Sequence, residues 1–142
     1  MKRLKVKRIL KLKIQDNMSA VIVAVDFDGT CVTYEYPNVG KEIGAAPILK
    51  KMTENGVKIV LCTMRDGKLL EDAVQWFSDN NIPLYGINKT PGQYKWTTSP
   101  KIFANYYIDD SAIGTPLLLD TNNNGFVDWE KMKPYLETYG LL

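Results

Sequence analysis

Two carboxylates separated by one residue follow a short apolar run near the start of the chain. Residues 21–25 are all apolar, and Asp26, Phe27, Asp28 and Gly29 come directly after them. Five apolar residues, most of them β-branched, are too few for a helical pattern and are typical of a strand buried on both faces of a sheet. Ligands of open α/β sheets bind outside the carboxyl ends of the strands, so these acids are placed for chemistry.

Polar residues also end two other predicted strands. Thr63 follows the apolar stretch 57–62, and Asp109 and Asp110 follow 106–108. We expect these side chains to converge with Asp26 and Asp28. Carboxylates gathered at one edge raise one another's pKa unless a cation neutralises them, and Mg²⁺ suits such hard oxygen ligands. Lys101 adds a positive charge near the same edge.

The chain contains no histidine. This excludes Ser-His-Asp and Cys-His catalysis and zinc sites built on imidazole. Cys31 and Cys62 form neither a CxxC pair nor a disulfide framework, which suits a reducing compartment, and we predict a cytoplasmic location. The sequence shows no apolar stretch long enough for a signal peptide or a membrane span, so we expect no membrane contact.

Strands alternate with helices along most of the sequence. Helical spacing of apolar residues predicts helices over 41–55, 68–80 and 129–139, with one helical turn at 101–104. Further strands are predicted at 82–87 and 117–119. This alternation predicts βαβ units and an α/β, three-layer Rossmann-like fold with a mainly parallel central sheet, in one domain over residues 18–142.

The first residues carry most of the charge asymmetry. Residues 1–17 hold seven of the 18 Lys and Arg and one acid, Asp16, which gives +6; the remaining 11 basic and 15 acidic residues give −4. The segment is interpreted as a basic extension or an edge strand, in preference to an arm that meets nucleic acid.

Residues 120–128 resemble a Ca²⁺-binding loop. Asp120 to Asp128 fit the first nine positions of an EF-hand, but the twelfth position is Lys131 instead of a bidentate glutamate. No predicted helix precedes the loop. We therefore predict a turn between two short strands, and ion binding there stays open.

The four strand-end motifs together resemble those of the haloacid dehalogenase-like (HAD) superfamily of phosphotransferases and phosphatases, over nearly all of residues 21–119. The matching residues are Asp26-Phe27-Asp28-Gly29-Thr30, Leu61-Cys62-Thr63, Lys101 and Tyr107-Ile108-Asp109-Asp110. A HAD-like fold is thus expected, with the chemistry of phosphoryl transfer.

The resemblance implies a role for each motif. Asp26 would be the nucleophile that forms an aspartyl-phosphate, and Asp28 would be the general acid and base while its backbone carbonyl contacts Mg²⁺. Thr63 would donate a hydrogen bond to the phosphoryl group. Lys101 would neutralise that group and the charge of Asp26.

The remaining implied residues hold the metal ion and the substrate. Asp109 and Asp110 would bind Mg²⁺ directly or through water, with Asp110 favoured for the direct bond, and Asp26 would be a further ligand. Residues beside these motifs are expected to contact the substrate: Gly29, Thr30, Met64 and Arg65. A phosphate monoester hydrolase with Mg²⁺ as its cofactor is the predicted enzyme.

The spacing between motifs leaves no room for a cap domain. An uncapped site implies a large phosphorylated substrate, such as a nucleic-acid end or a protein, or closure by a partner subunit of an oligomer. Aromatic residues lie on the loops that could roof it: Tyr34, Tyr36, Tyr94 and Trp96. Two alternatives stay open, namely a phosphate- or nucleotide-binding protein with little turnover and a nucleic-acid-end phosphatase.

Overall fold

The structure is a computed structural model that describes residues 20–142, so the predicted extension or edge strand at residues 1–17 lies outside the described residues. The elements it contains are β1 (Ile22–Val25), α1 (Ala45–Glu54), β2 (Lys58–Leu61), α2 (Gly67–Asp79), β3 (Leu84–Ile87), β4 (Tyr106–Ile108), β5 (Leu117–Leu119), β6 (Gly125–Val127) and α3 (Trp129–Thr138).

A parallel sheet with the order β3-β2-β1-β4 forms the centre of the described part of the chain. Val25 at the end of β1 is level with Leu61 of β2 and with Ile108 of β4. These three strands therefore end at one edge, which brings the polar residues that follow them together. The α/β class, the parallel sheet and its Rossmann-like arrangement are confirmed.

The three helices share one hydrophobic core with one face of the sheet. Val23 and Val25 of β1 and Ile59 and Leu61 of β2 belong to this core, together with buried residues from all three helices. Right-handed crossovers from β1 to β2 and from β2 to β3 advance in the same direction, so α1 and α2 must lie on the same side. The Tyr139 ring, just after α3, packs 5.0 Å from that of Tyr106 in β4.

The other face of the sheet is covered differently. Ala24 and Val60 pair with each other and are 1% and 0% exposed, yet they lie outside the main core. The connection from β3 to β4 crosses this side without an α-helix and contains a 3₁₀ turn at Gln93–Lys95. The predicted helical turn at 101–104 is wrong. Within residues 20–142, α-helices cover only one face of the sheet, so the third layer of the predicted three-layer arrangement contains no α-helix.

The segment that resembles a Ca²⁺-binding loop forms the turn of a β-hairpin. β5 and β6 pair antiparallel, and the Asp120 carboxylate accepts hydrogen bonds from the backbone N–H groups of Asn122 and Asn124. The predicted turn is confirmed. The hairpin and α3 hold the loop after β1, because Val127 donates its N–H to the Gly29 carbonyl and the buried Trp129 donates Nε1–H to the Thr30 carbonyl.

Neither of the two intervals between the predicted motifs, both inside the described residues, contains a cap domain. Within residues 20–142 no helix has the length and apolar character needed to cross a membrane. Both cysteines are free, with Cys31 buried and Cys62 half-buried.

Candidate active site

A cavity of about 390 Å³ opens at the carboxyl ends of β1, β2 and β4. The residues that line it include most of those singled out from the sequence: Asp26, Asp28, Tyr34, Tyr36, Thr63, Met64, Arg65, Asp109, Asp110 and Ser111. Its floor is acidic. Its rim carries two half-exposed tyrosines and Met64, which is 98% exposed.

Three carboxylates meet on the floor of this cavity. One oxygen each from Asp26, Asp109 and Asp110 lie within 4.8 Å of one another. The buried Thr30 hydroxyl connects two of them, since it donates to Asp26 Oδ2 at 2.8 Å and accepts from the Asp110 backbone N–H at 3.0 Å. Thr30 was predicted to contact the substrate, and in the structure it orients Asp26 and Asp110.

The pKa values of two of these carboxylates are raised. Burial raises the pKa of Asp26 to about 8 from its ordinary 3.8, the Thr30 hydrogen bond opposes this rise, and Asp110 and Asp109 add to it. Burial likewise raises the pKa of Asp110. A cation at the cluster would offset these costs, and three hard carboxylate oxygens match the donors that Mg²⁺ prefers. The residues present thus fit a divalent metal ion held by Asp26, Asp109 and Asp110.

Gly29 allows the loop after β1 to approach this cluster. Its φ of +79° lies in the left-handed region, and a Cβ added there would be 2.4 Å from Asp110 Oδ2 and 3.3 Å from the Gly125 carbonyl oxygen. A side chain at position 29 would therefore displace the Asp110 carboxylate. Gly29 was predicted as a substrate contact, and its backbone geometry shows that it makes room for a carboxylate.

We expect Gly29→Ala to destabilise the protein by more than about 1 kcal/mol and to weaken Mg²⁺ binding, because strain and a clash act together. Urea unfolding and calorimetric Mg²⁺ titration provide the measurements. Gly56→Ala is the matched control, since Gly56 has φ +88° and open space where a Cβ would lie. Equal losses of stability and Mg²⁺ affinity in the two variants would contradict the clash with Asp110.

Asp28 is engaged by a buried arginine. Arg65 Nε donates to Asp28 Oδ2 at 2.8 Å and Nη2 donates to Oδ1 at 2.7 Å. The remaining N–H groups reach the carbonyls of Asn38, Pro37 and Leu69, so all five guanidinium donors have partners. Arg65, predicted to bind substrate, is 2% exposed and fixes Asp28 against the loop at Pro37 and Asn38.

Thr63 lies where the β2 strand end was predicted to place it. Its backbone N–H donates to Asn88 Oδ1 at 2.8 Å, and its hydroxyl accepts from the Arg65 backbone N–H at 3.1 Å. Asn88, just after β3, has φ 52°. This asparagine was not identified from the sequence, and the only local hint is the tolerance of asparagine for positive φ.

Lys101 is placed away from this cavity. It lines a second cavity, and its Nζ lies 5.5 Å from the centroid of the Tyr107 ring. Tyr107 aligns with Ala24 in the sheet and is therefore on the face opposite the helices. The expectation that Lys101 lies beside Asp26 is corrected: the irregular β3–β4 connection carries it to the other face.

Ser111, which was not identified from the sequence, and two of the predicted aromatic loop residues complete the cavity. Ser111 lines it beside Asp110, and the Tyr36 ring lies 5.3 Å from the Arg65 guanidinium carbon. Of the four aromatic loop residues predicted to roof the site, Tyr34 and Tyr36 line this cavity, Trp96 lines the second one, and Tyr94 lines neither of the two. No spacing rule in the sequence separates these groups.

The chain is similar to a protein of known structure. No family model and no curated protein matches the sequence. A protein of Bacteroides thetaiotaomicron, described as a conserved protein, has a similar structure with a TM-score of 0.69 and 31% sequence identity, and the alignment covers 84% of this chain and 91% of that one. With this identity over nearly the full length of its relative, the chain belongs to the same family as the conserved Bacteroides protein.

Proposed function

We propose that the protein is a Mg²⁺-dependent, HAD-type phosphoric monoester hydrolase that works through an aspartyl-phosphate at Asp26. The observation that carries this proposal is the convergence of Asp26, Asp109 and Asp110, with carboxylate oxygens within 4.8 Å, on the floor of an open cavity. Phosphoryl transfer needs a nucleophile and cationic neutralisation of the phosphoryl oxygens, and this cluster supports both. The motif resemblance in the sequence points to the same reaction.

The chain's own residues suffice to describe the chemical steps. A carboxylate oxygen of Asp26 attacks phosphorus and forms an O–P bond while the bond from phosphorus to the leaving oxygen breaks. Water then attacks the phosphorus of the aspartyl-phosphate, which releases inorganic phosphate and restores the carboxylate. Thr30 orients Asp26 for the first step through its 2.8 Å hydrogen bond. Mg²⁺, held by Asp26, Asp109 and Asp110, would neutralise charge that develops on the phosphoryl oxygens.

The Arg65 ion pair limits how Asp28 takes part. Both Asp28 carboxylate oxygens accept hydrogen bonds from Arg65, so each has one lone pair left with which to contact a leaving oxygen. Leaving groups that depart without a proton do not depend on this contact. We therefore propose that acyl phosphates and aryl phosphates turn over faster than alkyl phosphates.

The test is to capture the covalent intermediate. The full chain is mixed with radiolabelled acetyl phosphate and Mg²⁺ and quenched in acid, and the protein-bound label is then mapped. The expected result is an acid-stable label that hydroxylamine removes and that maps to the peptide containing Asp26. Phosphate release with no label, or label on another peptide, would overturn the covalent route. Tight phosphate binding with neither label nor release would favour the phosphate-binding alternative.

A further inference from the structure

The connection between β3 and β4, residues 88–105, differs in charge from the rest of the described chain. No acid occurs from residue 80 to residue 108, whereas Lys89, Lys95 and Lys101 lie in the connection. All three lysines are exposed. Among residues 20–142, the salt bridges found are Arg65–Asp28, Lys68–Glu71, Lys68–Asp72 and Lys133–Glu130, so these lysines are not neutralised there. The connection is therefore a local positive surface, whereas the other charged residues between 20 and 142 are mainly acidic, with 8 basic and 15 acidic side chains.

Large aromatic side chains stand among these lysines and face solvent. The exposed fractions are 78% for Tyr94, 64% for Trp96, 41% for Phe103 and 46% for Tyr107. The Trp96 and Phe103 rings meet edge to face with centroids 5.6 Å apart. Together with Lys101, these last three aromatics line the second cavity of about 230 Å³. Three exposed rings and the ammonium group of Lys101 thus share one surface.

Internal hydrogen bonds hold this surface in shape. Gln93 Nε2 donates to the Lys101 carbonyl at 2.6 Å, and Gln93 Oε1 accepts the Phe103 N–H at 2.8 Å. The buried Thr90 hydroxyl donates to the Phe103 carbonyl at 2.7 Å. These bonds hold the exposed rings in place before a ligand binds. Binding therefore costs less conformational entropy of the protein.

We propose that residues 93–107 bind single-stranded nucleic acid. Exposed rings give unpaired bases a stacking platform, and interspersed lysines neutralise the phosphates between them. Self-association through this same surface is disfavoured because like charges would face each other. A duplex is disfavoured because its bases are already stacked.

The chain enters β1 beside the end of the connection. Ile22 N–H donates to Asn105 Oδ1 and Asn105 N–H donates to the Ile22 carbonyl, both at 2.8 Å. This pair of hydrogen bonds fixes the last residue of the connection to the first residue of β1. Binding at this surface is independent of the proposed phosphatase reaction.

The test measures binding of fluorescein-labelled oligo(dT) and oligo(U) by anisotropy, using the full chain at low salt. We expect Trp96→Ala and Tyr94→Ala each to raise Kd about tenfold, and Trp96→Phe to retain binding. Lys95→Gln should reduce the slope of log K against log salt by about 0.7. The controls are Tyr135→Ala, an aromatic that is 56% exposed on α3, and Lys50→Gln on α1, with folding verified by thermal melting.

The proposal fails if neither oligonucleotide binds. It also fails if Trp96→Ala binds like Tyr135→Ala, or if a duplex or base-free polyphosphate binds as tightly as the single strand. The relative affinities of oligo(dT) and oligo(U) identify the nucleic acid preferred. Asp26→Asn separates the two proposals, because it should bind the oligonucleotide like the wild type whatever its effect on phosphate release.

Discussion

Asp26→Asn is expected to reduce hydrolysis of p-nitrophenyl phosphate in Mg²⁺ by about a thousandfold or more, because an amide cannot form the aspartyl-phosphate. The substitution is nearly isosteric, and the amide oxygen still accepts the Thr30 hydrogen bond that now holds Asp26 Oδ2. Steady-state release of p-nitrophenol is the measurement. Asp79→Asn at the far end of α2 is the control and should keep full activity. Undiminished activity in Asp26→Asn would remove Asp26 as the nucleophile.

The same variant tests the proposed metal site through its effect on stability. Because the folded-state pKa of Asp26 is about 8 and its ordinary value is 3.8, the stabilisation from its bound proton is full below about pH 4 and is lost as the pH rises to about 8. Without metal, Asp26→Asn should therefore melt above the wild type at about pH 9 and close to it at about pH 4.

Mg²⁺ should reverse the order of the two melting temperatures at about pH 9. It is expected to raise the melting temperature of the wild type more at about pH 9 than at about pH 5, because the proton on Asp26 must leave before the ion binds. Asp26→Asn, which lacks one of the three carboxylates, should gain much less. Equal Mg²⁺ shifts in the two proteins at both pH values would argue against a metal site at this cluster.

Arg65→Met is expected to cause the largest loss of stability, about 3–5 kcal/mol, because it leaves the Asp28 carboxylate buried without its partner. The Asp28 side chain is 13% exposed and that of Arg65 is 1% exposed, so water compensates little. Three backbone carbonyls also lose their donors. Arg65→Lys should rescue only part of the loss, since one ammonium group cannot reproduce five directed donors.

Urea unfolding measures this effect, and Lys68→Met is the matched control. Lys68 pairs with Asp72 at 3.0 Å, but its side chain is 78% exposed, so its removal should leave the unfolding midpoint unchanged. Adding Asp28→Asn to Arg65→Met should recover stability, because the unpaired charge is gone. If Arg65→Met unfolds at the wild-type midpoint, the buried pair does not stabilise the fold.

Local sequence patterns predicted most of the architecture. Apolar runs and helical spacing identify the strands of the sheet and its three helices, because burial imposes these periods on any chain that forms them. Strand polarity then places Asp26, Asp109 and Asp110 together without knowledge of side-chain contacts, since parallel strands end at a common edge. The turn at Asp120 was likewise predictable, because position 131, where a Ca²⁺ loop requires glutamate, is a lysine.

The tertiary structure alone decided the tasks of the neighbouring residues. Arg65 meets Asp28 and the carbonyls of Pro37 and Asn38 across 27 to 37 residues of sequence, and no spacing rule encodes such contacts. Lys101 follows a connection without a helix, so no periodicity indicates which face of the sheet it reaches. The sequence by itself determined which carboxylates share an edge, because strands that alternate with helices pair in parallel and end at a common edge. Which residues neutralise or orient these carboxylates depends on long-range packing.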